Sequence, residues 1–271
     1  ERLLASTLKE GAISILGYAT TLTDVPSEIF IGSIGIVLFP LISKYATEGK
    51  IADFKAVVSK GVRIGNFILF PIAVLFIFFG GLIIKSLLER GQFSSSITHD
   101  TSIALAIYAL GMFAMASYFF SAHACYALQE VKATLKIAVF VMIFNIILKL
   151  ILINYLSFVG LALATSIALI VQSGILIRLV RKKIGSFDEK IIVASSFKAL
   201  IASCLMAATC WFSLKFILPY SHALIRLGVL IVSAGISYFI FSYLLRSQEL
   251  IIVKDLFKKI LVPADTWSPT A

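Results

Sequence analysis

Charge is scarce in this chain. Asp, Glu, Lys and Arg together make 14% of 271 residues, while hydrophobic side chains make 60%. A soluble domain carries about a quarter of its residues charged, because its surface has to meet water. That class is excluded. Acid is the scarcer sign, with 14 Asp and Glu against 24 Lys and Arg and a formal net charge of +10. Cysteine is rare too. Cys125, Cys204 and Cys210 lie in apolar runs without paired spacing, so they read as small core or lipid-facing residues rather than a disulfide framework or zinc ligands. There is no HExxH, no GxSxG and no P-loop, the patterns that serve hydrolytic, metal and nucleotide-driven chemistry. The chain is therefore expected to be no enzyme, with no metal site and no cofactor. A coupling ion or the membrane potential is the energy source left open.

Long apolar runs are what the sequence has in plenty. A bilayer crossing takes about 20 mainly apolar residues as a helix. Seven stretches qualify: Ala12–Tyr45, Ile64–Ile84, Thr101–Leu128, Leu135–Ile153, Phe158–Val180, Ile191–Leu218 and Leu224–Leu245. The fold class is all-α, a polytopic helical membrane protein with about seven transmembrane helices. Residues 1–10 read as the end of a preceding helix, since the chain opens on Glu1 in mid-pattern and is expected to continue a longer protein. Residues 11–182 hold five spans, 183–190 ("KIGSFDEK") form a charged linker, 191–246 hold two further spans, and 247–271 form a polar tail.

Counting Lys and Arg in alternate loops sets the orientation. One side holds 17, among them Lys44, Lys55, Arg63, Lys132, Arg181 and Lys198; the other holds 6, and Lys149 lies inside a span. By the positive-inside rule the richer side is cytoplasmic and the C-terminus lies inside. The excess positive charge is thus a topology signal, and no nucleic acid is expected as a partner because no soluble basic module is present. Membrane lipids are. The segment "EGKIADFKAVVSKG" sets Ile51, Phe54, Val57 and Val58 on one helical face, which predicts a short helix lying on the cytoplasmic interface.

Polar residues at membrane depth need a reason. In "GYATTLTDVPSEIF", residues 17–30, Asp24 and Glu28 are four apart and share a helical face, with Pro26 between them. Two readings stand side by side: the wall of a water-filled cavity on one long helix, or an interfacial turn with the span starting at Ile29. Lys149 is the second oddity, with Asn145 one turn before it; either its ammonium snorkels to the outer interface or it points inward to a carboxylate or a cation site. His123 lies within the third span, as a packing histidine or a proton relay. Gly32 and Gly35 with Ser33, and Gly160 with its small neighbours in "VGLALATS", mark faces for close helix packing. Pro40 and Pro71 fall inside spans, as in the broken helices of transporters.

Read in order, several stretches carry a family pattern. "LLASTLKEGAISILGYATTLTDVPSEIFIGSIGIVLFPLISKYATEGK", "GVRIGNFILFPIAVLFIFFGGLIIKSLLERGQF", "YALQEVKATLKIAVFVMIFNIILKLILI" and "VGLALATSIA" resemble the MviN/MurJ family of lipid II flippases, within the multidrug/oligosaccharidyl-lipid/polysaccharide exporter superfamily. The last two spans match in position and hydropathy alone. The resemblance implies about fourteen helices as two six-helix lobes plus two extra C-terminal helices, of which this chain would be the second lobe and the final pair. It also implies alternating access around a central cavity, moving lipid-linked peptidoglycan precursor across the bacterial plasma (inner) membrane for cell wall synthesis and cell shape. The partners implied are that precursor and the missing N-terminal lobe of the same protein.

Two departures from the family pattern bear on the cavity. Ala19-Thr20-Thr21-Leu22 stands where the family usually reads Ala-Asp-Arg-Leu, so Thr21 replaces an arginine that would meet the diphosphate. A hydroxyl supplies neither that charge nor its forked donors. Glu28 stands where glycine is common. Some relatives bind a coupling sodium ion in this lobe, and the matching positions here are Asn145, Lys149 and Thr165. The alternatives kept beside lipid II are export of another lipid-linked oligosaccharide or a cationic amphipathic solute, or a degenerate flippase-like scaffold of the cell envelope.

Overall fold

A chain in hydrocarbon must satisfy its backbone polar groups internally, and helices do so within one segment. The computed structural model describes residues 2–5, 8, 11–89, 95–186, 188–216 and 222–250. In order they form α1 (Arg2–Ala5), α2 (Ala12–Thr47), α3 (Ile51–Leu88), α4 (Ser95–Ala127), α5 (Val131–Ile184), α6 (Glu189–Phe216) and α7 (Ala223–Leu244). Helices α2 to α7 are each long and apolar enough to cross a membrane.

Helix α5 has 54 residues. At about 1.5 Å per residue that is about 80 Å, far beyond one hydrocarbon thickness. The excess is resolved at Ser157, whose φ of 52° and ψ of −134° leave the helical region. Beyond it the chain folds back, so that Gly160 lies directly on the backbone of Leu152. The two arms, 131–156 and 158–184, are separate crossings, which restores the seven expected from the apolar runs. Asn154 and Tyr155, the polar break between those runs, form the approach to the turn.

Helix α3 corrects one expectation. The amphipathic stretch 51–60 is not a separate interfacial helix but the opening of a continuous 38-residue helix. Gly61, a natural place for a break, serves packing instead: a Cβ there would fall 2.6 Å from the Phe120 ring of α4. Gly65 is likewise closed off by Ala116 and by Ile31 of α2. Small residues at a helix crossing let the backbones approach where lipid gives no hydrophobic drive. The turn before α3 is held by Lys50, which donates to Glu48 at 2.7 Å and holds that carboxyl below its usual range.

Helix α3 packs against α2, α4, α6 and α7, whereas α5 packs mainly on α4. Pro71 lies inside α3 and has no N–H to give the carbonyl of Phe67 one turn earlier. The Tyr238 hydroxyl of α7 donates to that carbonyl at 2.6 Å. Nearer the basic side, Arg63 Nε donates to Glu249 Oε1 at 2.7 Å, and its Nη2 donates to Gln248 Oε1 at 2.9 Å. At the far end of α3 the Ser86 hydroxyl donates to the Ala223 carbonyl at 3.0 Å. The two final helices are thus pinned to α3 along its whole membrane length.

The charged linker is shorter than 183–190: α5 runs to Ile184 and α6 opens at Glu189. Lys55 of α3 donates to the Ser186 carbonyl at 2.9 Å across this joint. The polar tail lies outside the described residues from 251 onward, and its first part is no free tail, because Glu249 is only 2% exposed.

Candidate functional site

The polar opening of α2 is helical throughout, so the interfacial-turn reading is set aside. Its hydroxyls make this tolerable. Thr20, Thr21 and Ser27 each donate to the carbonyl four residues before, at 2.9, 2.8 and 2.8 Å. Such back-bonds satisfy a side chain inside a helix and relax it around a proline. Helical spacing then sorts the stretch into two faces. Thr21, Asp24 and Glu28 lie on the exposed face, while Thr23 and Ser27 are buried toward the rest of the bundle.

Asp24 stands at the boundary between two cavities. One, of about 500 Å³, is lined by Ser14, Gly17, Tyr18, Thr20, Thr21 and Asp24, with Ala5 of α1 closing one side. The other, of about 270 Å³, lies where α2, α4 and the second arm of α5 meet. Its polar lining is Thr20, Thr23, Asp24, Ser27, Tyr108, Thr165 and Ser166, and Met112 and Met115 supply the apolar part. Ser166 fixes that junction by donating to the Ile107 carbonyl of α4 at 2.8 Å. Glu28 lines neither cavity and opens away from them. Among the described residues no cluster of His, Cys, Asp and Glu suits a metal ion.

Lys149 is 8% exposed, so its ammonium is not carried out to a surface. Asn145, one turn before it, has a buried Oδ1 with no hydrogen-bond partner among the described residues. The hairpin sets the register of the two arms, with Leu152 level with Gly160. Lys149 lies three residues before the first and Thr165 five after the second, which puts them about 3 Å apart in depth. Thr165 itself back-bonds to the Leu161 carbonyl at 3.0 Å and faces the cavity that Asp24 lines.

The family model described as lipid II flippase MurJ matches residues 1–231 of the chain. The chain belongs to the MurJ family. This is a family of transporters and not of enzymes, and the chain is a multi-pass membrane protein within it. A probable lipid II flippase MurJ of Rickettsia prowazekii is 30% identical over 204 residues, 75% of this chain and 39% of that protein. A probable lipid II flippase MurJ of Borreliella burgdorferi is 27% identical over 237 residues, 88% of this chain and 47% of that protein. Among solved structures, a lipid II flippase MurJ in an inward closed conformation superposes with a TM-score of 0.74 at 26% identity, covering 94% of this chain and 50% of the other. The chain spans about half the length of the MurJ relatives it matches.

The glycines expected at MurJ packing faces divide. A Cβ on Gly35 would lie 2.8 Å from the Phe119 ring, and one on Gly160 would strike the Leu152 backbone. At Gly32 nothing among the described residues lies within 4 Å of where its Cβ would be. His123 donates from Nδ1 to the Phe119 carbonyl at 2.8 Å and sits among Phe39, Phe119 and Tyr126, which is a packing arrangement. Tyr108, Met112 and Met115 line the smaller cavity and were missed, because on an apolar helix they look like any other core residues. Arg63 and Glu249 were missed as a pair, since each reads locally as one more charge beside a span. The one signal was Asn66, a turn after Arg63 on the same face, which donates to Ser196 of α6 at 2.8 Å.

Proposed function

We propose that the intact protein moves a lipid-linked peptidoglycan precursor, lipid II, from the inner to the outer leaflet of the bacterial plasma (inner) membrane by alternating access. This chain supplies the C-terminal lobe and the two additional helices, with its C-terminus cytoplasmic. The observation that carries the reading is the polar face of α2, held on an unbroken helix with a cavity on either side of Asp24, in a chain that matches the family over residues 1–231. The head group of the cargo would meet Thr20, Thr21 and Asp24 from one side and the missing lobe from the other.

The face as it stands has hydroxyls whose protons go to the helix's own carbonyls, and no cation, so charge for a diphosphate has to come from the other lobe. Rescue of growth after depletion of the resident flippase tests this in the full-length protein. Thr21→Arg is expected to leave rescue unchanged or improve it, because it adds a forked cationic donor at the cavity edge. A marked loss of rescue would favour the second reading, export of a cationic amphipathic solute, which the exposed carboxylates of Asp24 and Glu28 suit.

Lys149 bears on coupling. In our reading its ammonium is a tethered cation at the position where some relatives bind sodium, beside the Asn145 Oδ1 that has no partner among the described residues and level with Thr165. Transport in proteoliposomes is then expected to be the same in sodium and in potassium buffer. Transport that stops without sodium, and weakens with competing cations, would sink the idea.

A further inference from the structure

The second arm of α5 carries a groove with no part in the α2 site. Its volume is about 450 Å³, and its lining runs down one helical face: Val171, Gly174, Ile175, Arg178 and Arg181, closed at the end by Glu189 of α6. The groove exists because of how the bundle is wired. Helix α6 leaves the joint to pack on α3 and α7, not on the arm it follows, so a face of that arm has no helix packed on it among the described residues. At Gly174 nothing lies within 4 Å of a Cβ position, so the wall is open there.

The groove is graded along its length. From Val171 to Gly174 it is apolar, and about 6 Å further along the axis it becomes basic at Arg178. Arg178 is exposed and makes no hydrogen bond or ion pair among the described residues. Arg181 gives one donor to Glu189 at 3.1 Å and keeps the rest of its fork free. Lys182 is exposed on the next position, so positive charge exceeds the single carboxylate. An apolar slot ending in one unpaired guanidinium, Arg178, and a second that is only partly engaged by Glu189 complements an acyl chain ending in a phosphate. We propose that this groove seats one anionic glycerophospholipid of the leaflet on the arginine-rich side. Its phosphate lies between Arg178 and Arg181, and an acyl chain lies along Val171 and Gly174. The lipid takes the place of the missing helix contact and separates the five-helix part from the terminal pair.

Native mass spectrometry of the intact protein in detergent, with added palmitoyl-oleoyl phosphatidylglycerol, tests it. One molecule is expected to stay bound, about tenfold more tightly than the matching phosphatidylethanolamine. Arg178→Gln with Arg181→Gln should remove that preference. Gly174→Leu should release the lipid while both arginines remain, because it fills the open wall and not a packed contact. Glycerol phosphate without chains should fail to compete. Equal retention of the two phospholipids would overturn the proposal, as would retention untouched by both variants, competition by glycerol phosphate, or tighter holding of a polyprenyl phosphate.

Discussion

Arg63→Ala is expected to destabilise the protein by about 3–5 kcal/mol, the range for removing one partner of a buried ion pair. Glu249 is 2% exposed, and the Arg63 side chain is 15% exposed. With the guanidinium gone, the carboxylate stays in a place that water hardly reaches. Gln248 loses its donor as well. Glu249→Gln should cost less, because it discharges the site and keeps an acceptor for Arg63. Replacing both residues with methionine should recover most of the loss, since no charge is then left unpaired. Thermal unfolding of the full-length protein in detergent reads all three. If Arg63→Ala melts with the wild type, the pair is not buried in the membrane-embedded protein.

The second large effect belongs to the hairpin. Gly160→Leu is expected to cost at least the about 1–3 kcal/mol of ordinary overpacking, and more because the obstacle is backbone. A Cβ at this position would meet the carbonyl carbon, oxygen and Cβ of Leu152 inside normal contact distance. No rotamer relieves that, so the two arms must part. The loss should appear as aggregation on size exclusion and as a lower melting temperature. Gly32→Ala is the control, because nothing among the described residues lies within 4 Å of its Cβ position. It should be neutral or stabilise by about 0.5–1 kcal/mol through better helix propensity. Equal behaviour of the two variants would mean that the arms are not in contact at Gly160.

The crossings were legible because about 20 apolar residues in a row have few other uses. The shared face of Thr21, Asp24 and Glu28 was legible for a similar reason, since spacing alone assigns a face once a helix is granted. Whether the helix runs through Pro26 was not, because the hydroxyl back-bonds that support it have no pattern distinct from a turn rich in threonine. Lys149 stayed ambiguous in sequence because snorkelling and inward-facing lysines occupy the same position and differ only in rotamer and neighbours. Thr165 could be placed beside the α2 polar face only once α4 and the second arm of α5 were seen to pack. Arg63 and Glu249 are 186 residues apart, and periodicity reports neighbours within a few turns. The continuity of α3 was misread for a local reason: an amphipathic stretch followed by an apolar one looks like two helices.

The terminal pair is attached to α3 at Ser86 and at Arg63, 23 residues apart, or about 34 Å along the axis. One attachment would act as a pivot, while two that far apart fix a direction. Helices α6 and α7 therefore behave as an outrigger on α3, tilting when it tilts and unable to swing by themselves. Any tilting of α3 sweeps this outrigger through the surrounding lipid. The membrane then resists the motion over a broader front than five helices alone would present.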